Sequence, residues 1–401
     1  MTNPRTFLVS IFAIFVAVAL LSGCGGGSGS TQPPNTIVST GNNVAPISVN
    51  GGPPGDYDDA AFISVTVCVP GTSTCQTVDN ILVDTGSSGL RILSSELTVA
   101  LPPQNAGDGN PVFECFPFES GYTWGPVQTA DVEIAGEKAS STPIEAVGTS
   151  TAVPDGCLNF ELPPSNNLDE LGANGILGVG LFAQDCGSGC PTTIYYECPP
   201  SPPCQGITQS LAQQVPNPVS LFATDNNGVI VELPAVPGGE APTLSGSLVF
   251  GIGTQSNNAL GSATVYGADP ESGSFTTSFN GTAYSGSFID SGSNGYFFLS
   301  SSVSGLPVCE DDDSFYCPSS TANLSATNEG TNGASGKVSF SIANADALPS
   351  NDNALADIGG EGSDSPPYFF DWGLPFFFGR NVFVAIQGQS APGGTAPYWA
   401  Y

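Results

Sequence analysis

The sequence contains no histidine, one methionine and five lysines and arginines, against 36 aspartates and glutamates among its 401 residues. Without histidine, the chain cannot form a Ser-His-Asp or Cys-His catalytic group, and it offers no histidine ligand to a metal ion. The shortage of positive charge argues against nucleic acid or anionic lipid as a partner of the folded part. Carboxylates are therefore the first groups to examine for chemistry.

Long helical patterns are also scarce, because 51 glycines and 35 prolines interrupt the chain. Short runs rich in valine, isoleucine, threonine and phenylalanine stand between glycine, proline and asparagine, which is typical of β-strands and their turns. The best helical candidate, residues 207–215, stops at Pro216. The pattern predicts an all-β protein with minor helix, and more than 350 residues suffice for two lobes with separate cores.

The first 23 residues predict a signal peptide rather than a part of the fold. Arg5 precedes an apolar run that is short for a transmembrane helix and lies close to the N-terminus, as in a signal peptide. The Leu-Ser-Gly-Cys sequence ending at Cys24 resembles the bacterial lipobox, which implies cleavage before this cysteine and its lipidation; an ordinary signal peptide is the alternative. Residues 24–44 are rich in glycine, serine and proline and predict a tether. We therefore expect an exported lipoprotein of the bacterial cell envelope that meets the membrane only through its lipid anchor.

Ten further cysteines form an even set, which in an exported chain predicts disulfides. Cys68 and Cys75 could close a hairpin, and Cys309 and Cys317 could close an acidic loop. Zinc is the weaker alternative for the clustered cysteines because the chain is exported, and we expect no metal site. The pairing of the remaining six is left open: Cys115, Cys157, Cys186, Cys190, Cys198 and Cys204.

One stretch of the chain occurs twice. Residues 81–93, ILVDTGSSGLRIL, align without a gap with residues 287–299, SFIDSGSNGYFFL, so that Asp84 meets Asp290. Each copy follows a predicted hairpin. Burying an aspartate at the end of an apolar strand is costly unless the carboxylate is used or satisfied. A turn aspartate would explain one copy, but it does not explain two copies in matched surroundings.

Each copy also precedes a strand of the form apolar-apolar-glycine. The glycines are Gly178, 94 residues after Asp84, and Gly379, 89 residues after Asp290. Two carboxylates that meet across a pseudo-twofold axis share one proton, so that one can act as a base toward water while the other donates a proton. We expect glycine to allow the close approach of the two loops, and hydroxyls to fix them and to bind the outer carboxylate oxygens. These supporting residues are Thr85, Gly86 and Ser87 in the first loop and Ser291, Gly292 and Ser293 in the second.

The Asp-Thr-Gly-Ser and Asp-Ser-Gly-Ser motifs, each with its downstream glycine strand, resemble those of the pepsin-like aspartic peptidases, relatives of the retroviral peptidases. The resemblance covers residues 45–401, and the chain also looks like an uncharacterised group of bacterial secreted proteins. It implies a bilobed fold, with an N-terminal lobe at 45–235 and a C-terminal lobe at 236–401. It also implies a monomeric endopeptidase without a cofactor, in which Asp84 and Asp290 act at acid pH on an extended peptide or unfolded protein.

Residues 120–136 stand where this family has its flap, a hairpin that closes over the substrate. The resemblance implies that Tyr122 is the flap tyrosine and that Gly121 and Gly125 permit the bend; an ordinary strand aromatic is the alternative. Arg91 departs from the family, which has a bulky apolar residue there. A buried arginine could pair with an active-site carboxylate and disturb the shared proton, but we expect Arg91 to point to solvent or pack along its stem.

Two other functions remain open at this level. The chain could be a catalytically weak relative that uses the same fold to bind peptides or proteins. It could also be a β-rich surface lipoprotein whose aspartate loops are structural, or whose acidic stretch at 310–314 binds calcium. That stretch lacks the alternating ligand spacing of a calcium loop, so we interpret it as a solvated loop.

Overall fold

Strands account for most of the regular structure in the computed structural model, which describes residues 35–201, 203–310, 312–362 and 368–401. Short β-branched and aromatic runs form the strands, and glycine or asparagine with positive φ turns the chain between them, as Asn280 and Gly281 do. In the described part of the first 235 residues the strands are β1 Val44–Val49, β2 Ala61–Cys68, β3 Cys75–Asp84, β4 Ser88–Leu93, β5 Val112–Pro117, β6 Tyr122–Ile134, β7 Glu137–Val147, β8 Gly175–Val179, β9 Tyr195–Glu197, β10 Gln205–Ile207 and β11 Gly228–Leu233.

The second half carries shorter strands and little helix. Its strands within the described ranges are β12 Glu240–Ala241, β13 Leu244–Phe250, β14 Val265–Gly267, β15 Phe275–Phe279, β16 Thr282–Ile289, β17 Tyr296–Phe298, β18 Ala322–Glu329, β19 Ser335–Ile342, β20 Ala354–Leu355, β21 Gly359–Glu361, β22 Asp371–Trp372, β23 Arg380–Ala385, β24 Ser390–Ala391, β25 Gly394–Thr395 and β26 Tyr398–Ala400. The α-helical turns are α1 Asp155–Leu158, α2 Leu168–Leu171 and α3 Ser301–Ser304. The 3₁₀ turns are Ser94–Glu96, Leu211–Gln213, Pro218–Leu221, Pro237–Gly239, Ala345–Ala347 and Leu374–Phe377.

The two aspartate loops have the same strand environment. β3 leads into the first loop and pairs in parallel with β8, and β4 leaves the loop and pairs antiparallel with the other edge of β8. In the second half β16 enters the loop, β17 leaves it, and both pair with β22 in the same two orientations. Each aspartate loop is therefore held between two strands that share one partner.

A shared sheet joins the halves. Its strand order includes β1, β13, β11, β23, β26 and β14, so β1 and β11 of the first half pair with strands of the second. A separate seven-stranded sheet, in the order β19-β18-β15-β16-β22-β17-β21, belongs to the second half. The apolar core runs through both halves and includes Val83, Leu177, Ile289 and Phe376. The predicted lobe boundary near residue 235 thus lies within a region where strands from both sides interleave.

Five disulfides close loops within the halves. The predicted pairs Cys68–Cys75 and Cys309–Cys317 are formed. The six cysteines left open pair as Cys115–Cys157, Cys186–Cys190 and Cys198–Cys204.

Three sequence expectations need correction or placement. The helix expected at 207–215 is only a 3₁₀ turn at Leu211–Gln213. So short a segment forms too few hydrogen bonds to offset the free-energy cost of helix nucleation. The tether expected at 24–44 is shorter at its C-terminal end, since Val38 donates its N–H to Glu232 Oε2 at 2.7 Å and β1 begins at Val44. The signal peptide and Cys24 lie outside the described residues. No helix of the described ranges is long and apolar enough to cross a membrane.

Candidate active site

The first aspartate loop holds the Asp84 carboxylate by its own backbone. The N–H of Gly86 donates to Asp84 Oδ1 at 2.7 Å, and the Ser87 hydroxyl donates to Asp84 Oδ2 at 2.5 Å. The same Gly86 N–H also reaches Asp290 Oδ1 at 3.1 Å, so one donor serves both carboxyls. The two aspartates of the repeated motif, 206 residues apart in the chain, therefore meet at one site.

The second loop repeats this arrangement. The N–H of Gly292 donates to Asp290 Oδ1 at 2.7 Å, and the Ser293 hydroxyl donates to Asp290 Oδ2 at 2.9 Å. Each carboxyl thus accepts from two backbone N–H groups and one serine hydroxyl: Gly86, Ser87 N–H and Ser87 Oγ for Asp84, and Gly86, Gly292 and Ser293 Oγ for Asp290. The inner oxygens face each other, and the outer oxygens are held by serine.

Hydroxyl groups cross between the loops and fix their separation. Thr85 Oγ1 donates to the carbonyl oxygen of Ile289 at 3.0 Å and accepts from the N–H of Ser291 at 2.9 Å. Ser291 Oγ donates to the carbonyl oxygen of Val83 at 2.6 Å and accepts from the N–H of Thr85 at 3.2 Å. Because both residues are fully buried, these bonds are shielded from water.

Glycine is required at the point where the loops touch. A Cβ atom at Gly86 would lie 2.6 Å from Asp290 Cγ, and one at Gly292 would lie 2.9 Å from Asp84 Cγ. Both distances are shorter than van der Waals contact. Any side chain at either position would push the two carboxyls apart.

Burial and like charge favour a proton on Asp290. Burial raises the pKa of Asp290 well above its usual range, and the neighbouring carboxyls of Asp84 and Asp371 raise it further. The two carboxyls are linked by the Gly86 N–H, which lies within hydrogen-bonding distance of both. Asp290 therefore keeps its proton to a higher pH than an ordinary aspartate does.

A small cleft above the pair is roofed by the β5–β6 hairpin. The cleft has a volume of about 150 Å³, and the hairpin tip contributes Phe118, Glu119 and Ser120 to its walls. The tip is closed by a hydrogen bond from the N–H of Phe118 to the carbonyl oxygen of Gly121 at 2.7 Å. A hairpin thus lies where the flap was expected, and its tip comes earlier in the chain than expected.

Tyr122 does not have the position expected for it. Its side chain is buried beside Trp124 in an aromatic cluster, and it is not among the residues that line the cleft. Gly121 and Gly125 serve packing, because a Cβ at Gly121 would meet Ser165 and one at Gly125 would lie 2.0 Å from a backbone oxygen of β7. The reason is that Tyr122 already belongs to strand β6 and packs its ring into this apolar cluster.

Tyr57 is a cleft residue that the motifs did not reveal. It lies in the segment between β1 and β2 and lines the cleft together with both aspartates. Burial raises the pKa of its phenol, and Asp290 and Asp84 raise it further by their charge. The segment is fixed by Asn353, which donates to the carbonyl oxygen of Tyr57 at 3.3 Å. No local sequence signal marks this tyrosine, because only the fold brings it to the site.

Arg91 is fully buried and paired with acids, whereas the sequence favoured a side chain that points to solvent or packs along its stem. Its guanidinium pairs with Glu114 at 2.7 Å, Glu145 at 3.3 Å and Asp185 at 3.5 Å, and it stacks 3.7 Å from the ring centre of Phe116. Burial lowers the pKa of Arg91, but the three carboxyls outweigh this and raise it. Arg91 thus has its own acidic partners, and none of its ion pairs involves the aspartate pair.

The glycine that supports the second loop is Gly373 and not Gly379. Asp290 donates its N–H to the carbonyl oxygen of Trp372 at 3.1 Å, so Gly373 follows in the position that Gly178 has opposite Asp84. A Cβ at Gly178 would lie 2.6 Å from the backbone of Ser88, and one at Gly373 would lie 2.0 Å from the carbonyl oxygen of Gly295. Gly379 instead turns the chain into β23 with φ of +75°.

A model of the family described as "Protein of unknown function (DUF3443)" matches residues 39–401. The chain belongs to this family. The comparison with curated proteins gives no match. Among solved structures, the chain is similar to the aspartic proteinase from Irpex lacteus, with a TM-score of 0.54 and 16% identity over 89% of this chain and 96% of that chain.

At this identity, the likeness establishes the fold alone. The all-β, bilobed pepsin-like fold predicted from the sequence is confirmed. This DUF3443 protein therefore has the architecture of an aspartic proteinase, and its activity has to be argued from the site.

Proposed function

We propose that this DUF3443 protein is an aspartic endopeptidase in which Asp84 and Asp290 activate a water molecule. The observation that carries the proposal is the Gly86 N–H, which reaches the Asp84 carboxyl at 2.7 Å and the Asp290 carboxyl at 3.1 Å. This shared donor holds the two carboxyls side by side. Structural aspartates at turns have no need of such an arrangement. Two carboxyls with one shared proton are suited to acid–base attack on an amide.

Each aspartate takes a distinct role in this reaction. Asp84 accepts a proton from the water, whose oxygen attacks the carbonyl carbon of the peptide. Asp290 gives its proton to the carbonyl oxygen, so that a neutral tetrahedral intermediate forms. The proton on Asp84 then passes to the leaving nitrogen as the carbon–nitrogen bond breaks, and Asp290 regains its proton from the intermediate. No metal or cofactor is required.

The substrate is an extended peptide or unfolded protein that enters under the β5–β6 hairpin. The cleft of about 150 Å³ has no room for several residues, so the tip at Phe118, Glu119 and Ser120 has to move outward for binding. Phe118 and Ser120 on the tip offer an apolar wall and a hydroxyl for the peptide. We propose a monomer, because both halves of the site come from one chain.

The test is cleavage of an unfolded protein from about pH 3 to about pH 7 by the full-length, oxidised protein. We expect cleavage on the acid side, blocked by a statine-type transition-state analogue and reduced about a thousandfold or more in Asp84→Asn and Asp290→Asn. Asp79→Asn is the matched control, since Asp79 lies exposed on the same strand β3 and its carboxylate accepts a hydrogen bond from Ser64, while its backbone carbonyl oxygen, which accepts from Asn174, is left unchanged. Cleavage that survives in Asp84→Asn would refute the proposal.

A binding function is the second candidate, and the narrow cleft is the observation that favours it. If the hairpin tip opens only far enough to hold a peptide, the protein captures its ligand without cutting it. The analogue would then raise the midpoint of thermal unfolding while no cleavage occurs at any pH. Absence of both effects would contradict the peptidase and the binding function together.

Export and lipid anchoring are proposed from the sequence of the first 24 residues. Metabolic labelling with a radioactive fatty acid should mark the wild-type protein and fail to mark Cys24→Ser. Labelling of the variant at the wild-type level would contradict the lipobox interpretation.

A further inference from the structure

Asp371 breaks the symmetry of the two halves beside the aspartate pair. β22 pairs with β16 in the parallel register that β8 has with β3. In that register Asp371 occupies the position of Ile176, an apolar residue that lines the cleft. The next residue, Trp372, packs in the core against Phe376, so the alternation of a strand directs Asp371 to the side of the aspartate pair.

This carboxyl is buried without a positive partner. Asp371 is 5% exposed, and its Oδ1 atom has no hydrogen-bond partner. Its carboxyl lies against the Ser293 hydroxyl, and the charged groups that act on it are Glu119 at the hairpin tip and Asp84. None of the lysine and arginine ion pairs in the described ranges reaches it. An ionised carboxylate in this place would therefore be costly.

Ser293 connects this carboxyl to the aspartate pair. Its single hydroxyl proton is given to Asp290 Oδ2 at 2.9 Å, so it has none left to give to Asp371. A protonated Asp371 can instead donate to Ser293 Oγ, which leaves every proton of the chain Asp371, Ser293, Asp290 with one acceptor. The first half has nothing comparable, because Ile176 has no polar atom in its side chain.

We propose that Asp371 is a positioning residue of the candidate site. It contacts Ser293, which binds Asp290, and its carboxyl keeps the proton on Asp290 over a wider pH range. The kinetic side of this inference rests on the proposed peptidase function. The electrostatic coupling between Asp371 and Asp290 does not depend on whether the protein cleaves peptides.

The direction of the effect follows from like charge. At low pH Asp371 is protonated and can donate to Ser293; as pH rises it loses this proton while Asp290 keeps its own, and the negative charge of Asp371 then raises the pKa of Asp290. Asp371 thereby adds to the effects of burial and of Asp84, which also raise the pKa of Asp290. Without the charge of Asp371, Asp290 loses its proton at a lower pH, and activity that needs this proton ends earlier.

The first experiment measures kcat/KM against pH for the wild-type full-length protein and Asp371→Asn, which keeps the size and a donor for Ser293. We expect the alkaline limb to move down by about one pH unit. Glu232→Gln is the control, since Glu232 is another carboxyl with a raised pKa but lies on β11 against Val38, away from the cleft. An alkaline limb that stays in place or moves up in Asp371→Asn overturns the proposal.

The second experiment needs no activity. Thermal unfolding of Asp371→Asn, Asp290→Asn and the double variant is followed at about pH 4 and about pH 7. We expect Asp371→Asn to gain stability at the higher pH, and to gain clearly less in the Asp290→Asn background, because the two groups are coupled. Equal gains in both backgrounds overturn the proposal.

The two experiments separate the possible failures. Coupled unfolding without any cleavage would refute the peptidase function and retain Asp371 as part of the carboxyl cluster. Cleavage together with uncoupled unfolding would refute the role of Asp371 and retain the peptidase function. Glu232→Gln should give the same gain in both backgrounds, which shows that the coupling is specific to the cluster.

Discussion

Tyr57 lies beside both aspartates although it stands 27 residues before the first of them in the chain. Its ring packs against Phe62 with centroids 6.4 Å apart and covers Gly172, where a Cβ would lie 2.2 Å from the ring. The ring is therefore held in place, and under the proposed function we expect its O–H to reach a peptide bound in the cleft. In this structure Tyr57 and not Tyr122 has the position from which a tyrosine could act on a bound peptide.

Replacing Tyr57 by phenylalanine should lower kcat/KM about tenfold, because one hydrogen bond to the substrate is lost without a change in packing. The comparison variant is Tyr122→Phe, whose hydroxyl lies in the aromatic cluster of β6. Kinetics of both variants at one acid pH decide between the two tyrosines. A larger loss in Tyr122→Phe would restore the flap role that the sequence suggested.

At the scale of elements, the repeated motif was readable because its chemistry is local. The pairs Asp84–Gly86 and Asp290–Gly292 carry the loop geometry within a few residues, so the sequence shows them directly. The supporting glycine of the second half was misassigned for a physical reason. The strand before Gly373 contains the polar Asp371 where an apolar residue was expected. The phenylalanines before Gly379 match the apolar-apolar-glycine pattern, although this glycine lies elsewhere.

The environment of Arg91 could not be predicted from the sequence, because its partners come from three other parts of the chain. Arg91 lies on β4, Glu114 on β5, Glu145 on β7 and Asp185 after β8, so the guanidinium ties the β5–β6 hairpin to β4, β7 and the segment after β8. Two of these carboxyls, Glu145 and Asp185, have pKa values raised by burial and by Glu114. No single stretch of sequence contains this cluster.

Replacing Arg91 by methionine should destabilise the protein by about 3–5 kcal/mol, because the buried carboxyls lose their cation. The loss should be larger at about pH 7 than at about pH 4, where protons replace the missing charge. Denaturant unfolding at the two pH values measures this. Lys138→Met is the control, since Lys138 is partly exposed and pairs with Asp131 at 2.9 Å near the surface. Equal losses at both pH values in Arg91→Met would contradict the charge argument.

For the whole molecule, the balance of charge predicts greater stability at acid pH. The formal net charge of the chain is −31, so its carboxylates repel one another at neutral pH. Several buried acids add to this, because burial raises the pKa values of Asp59, Asp290 and Asp371 and brings that of Glu232 to about 7. The opposite shift occurs where an acid is bound by donors, as at Asp131, where hydrogen bonds from Gly71, Lys138 and Ser141 outweigh burial.

The sign of the pH dependence follows from these shifts. An acid whose pKa is raised on folding holds more protons in the native state than in the unfolded chain, so stability is lost as pH rises from the unfolded value near 4 through the raised one. We therefore expect the midpoint of thermal unfolding to be highest at about pH 4–5 and to fall by roughly 5–10 °C by about pH 8. Calorimetry of the oxidised protein across this range measures it.

Salt separates the two contributions to this loss. High salt screens the repulsion between surface carboxylates, but it acts much less on the buried groups. We expect about 1 M salt to recover only part of the loss at about pH 8, and the double variant Asp371→Asn with Glu232→Gln to recover a further part that salt does not supply. A protein that instead became more stable from about pH 4 to about pH 7 would have carboxylates stabilised by positive partners, and five lysines and arginines are too few for that.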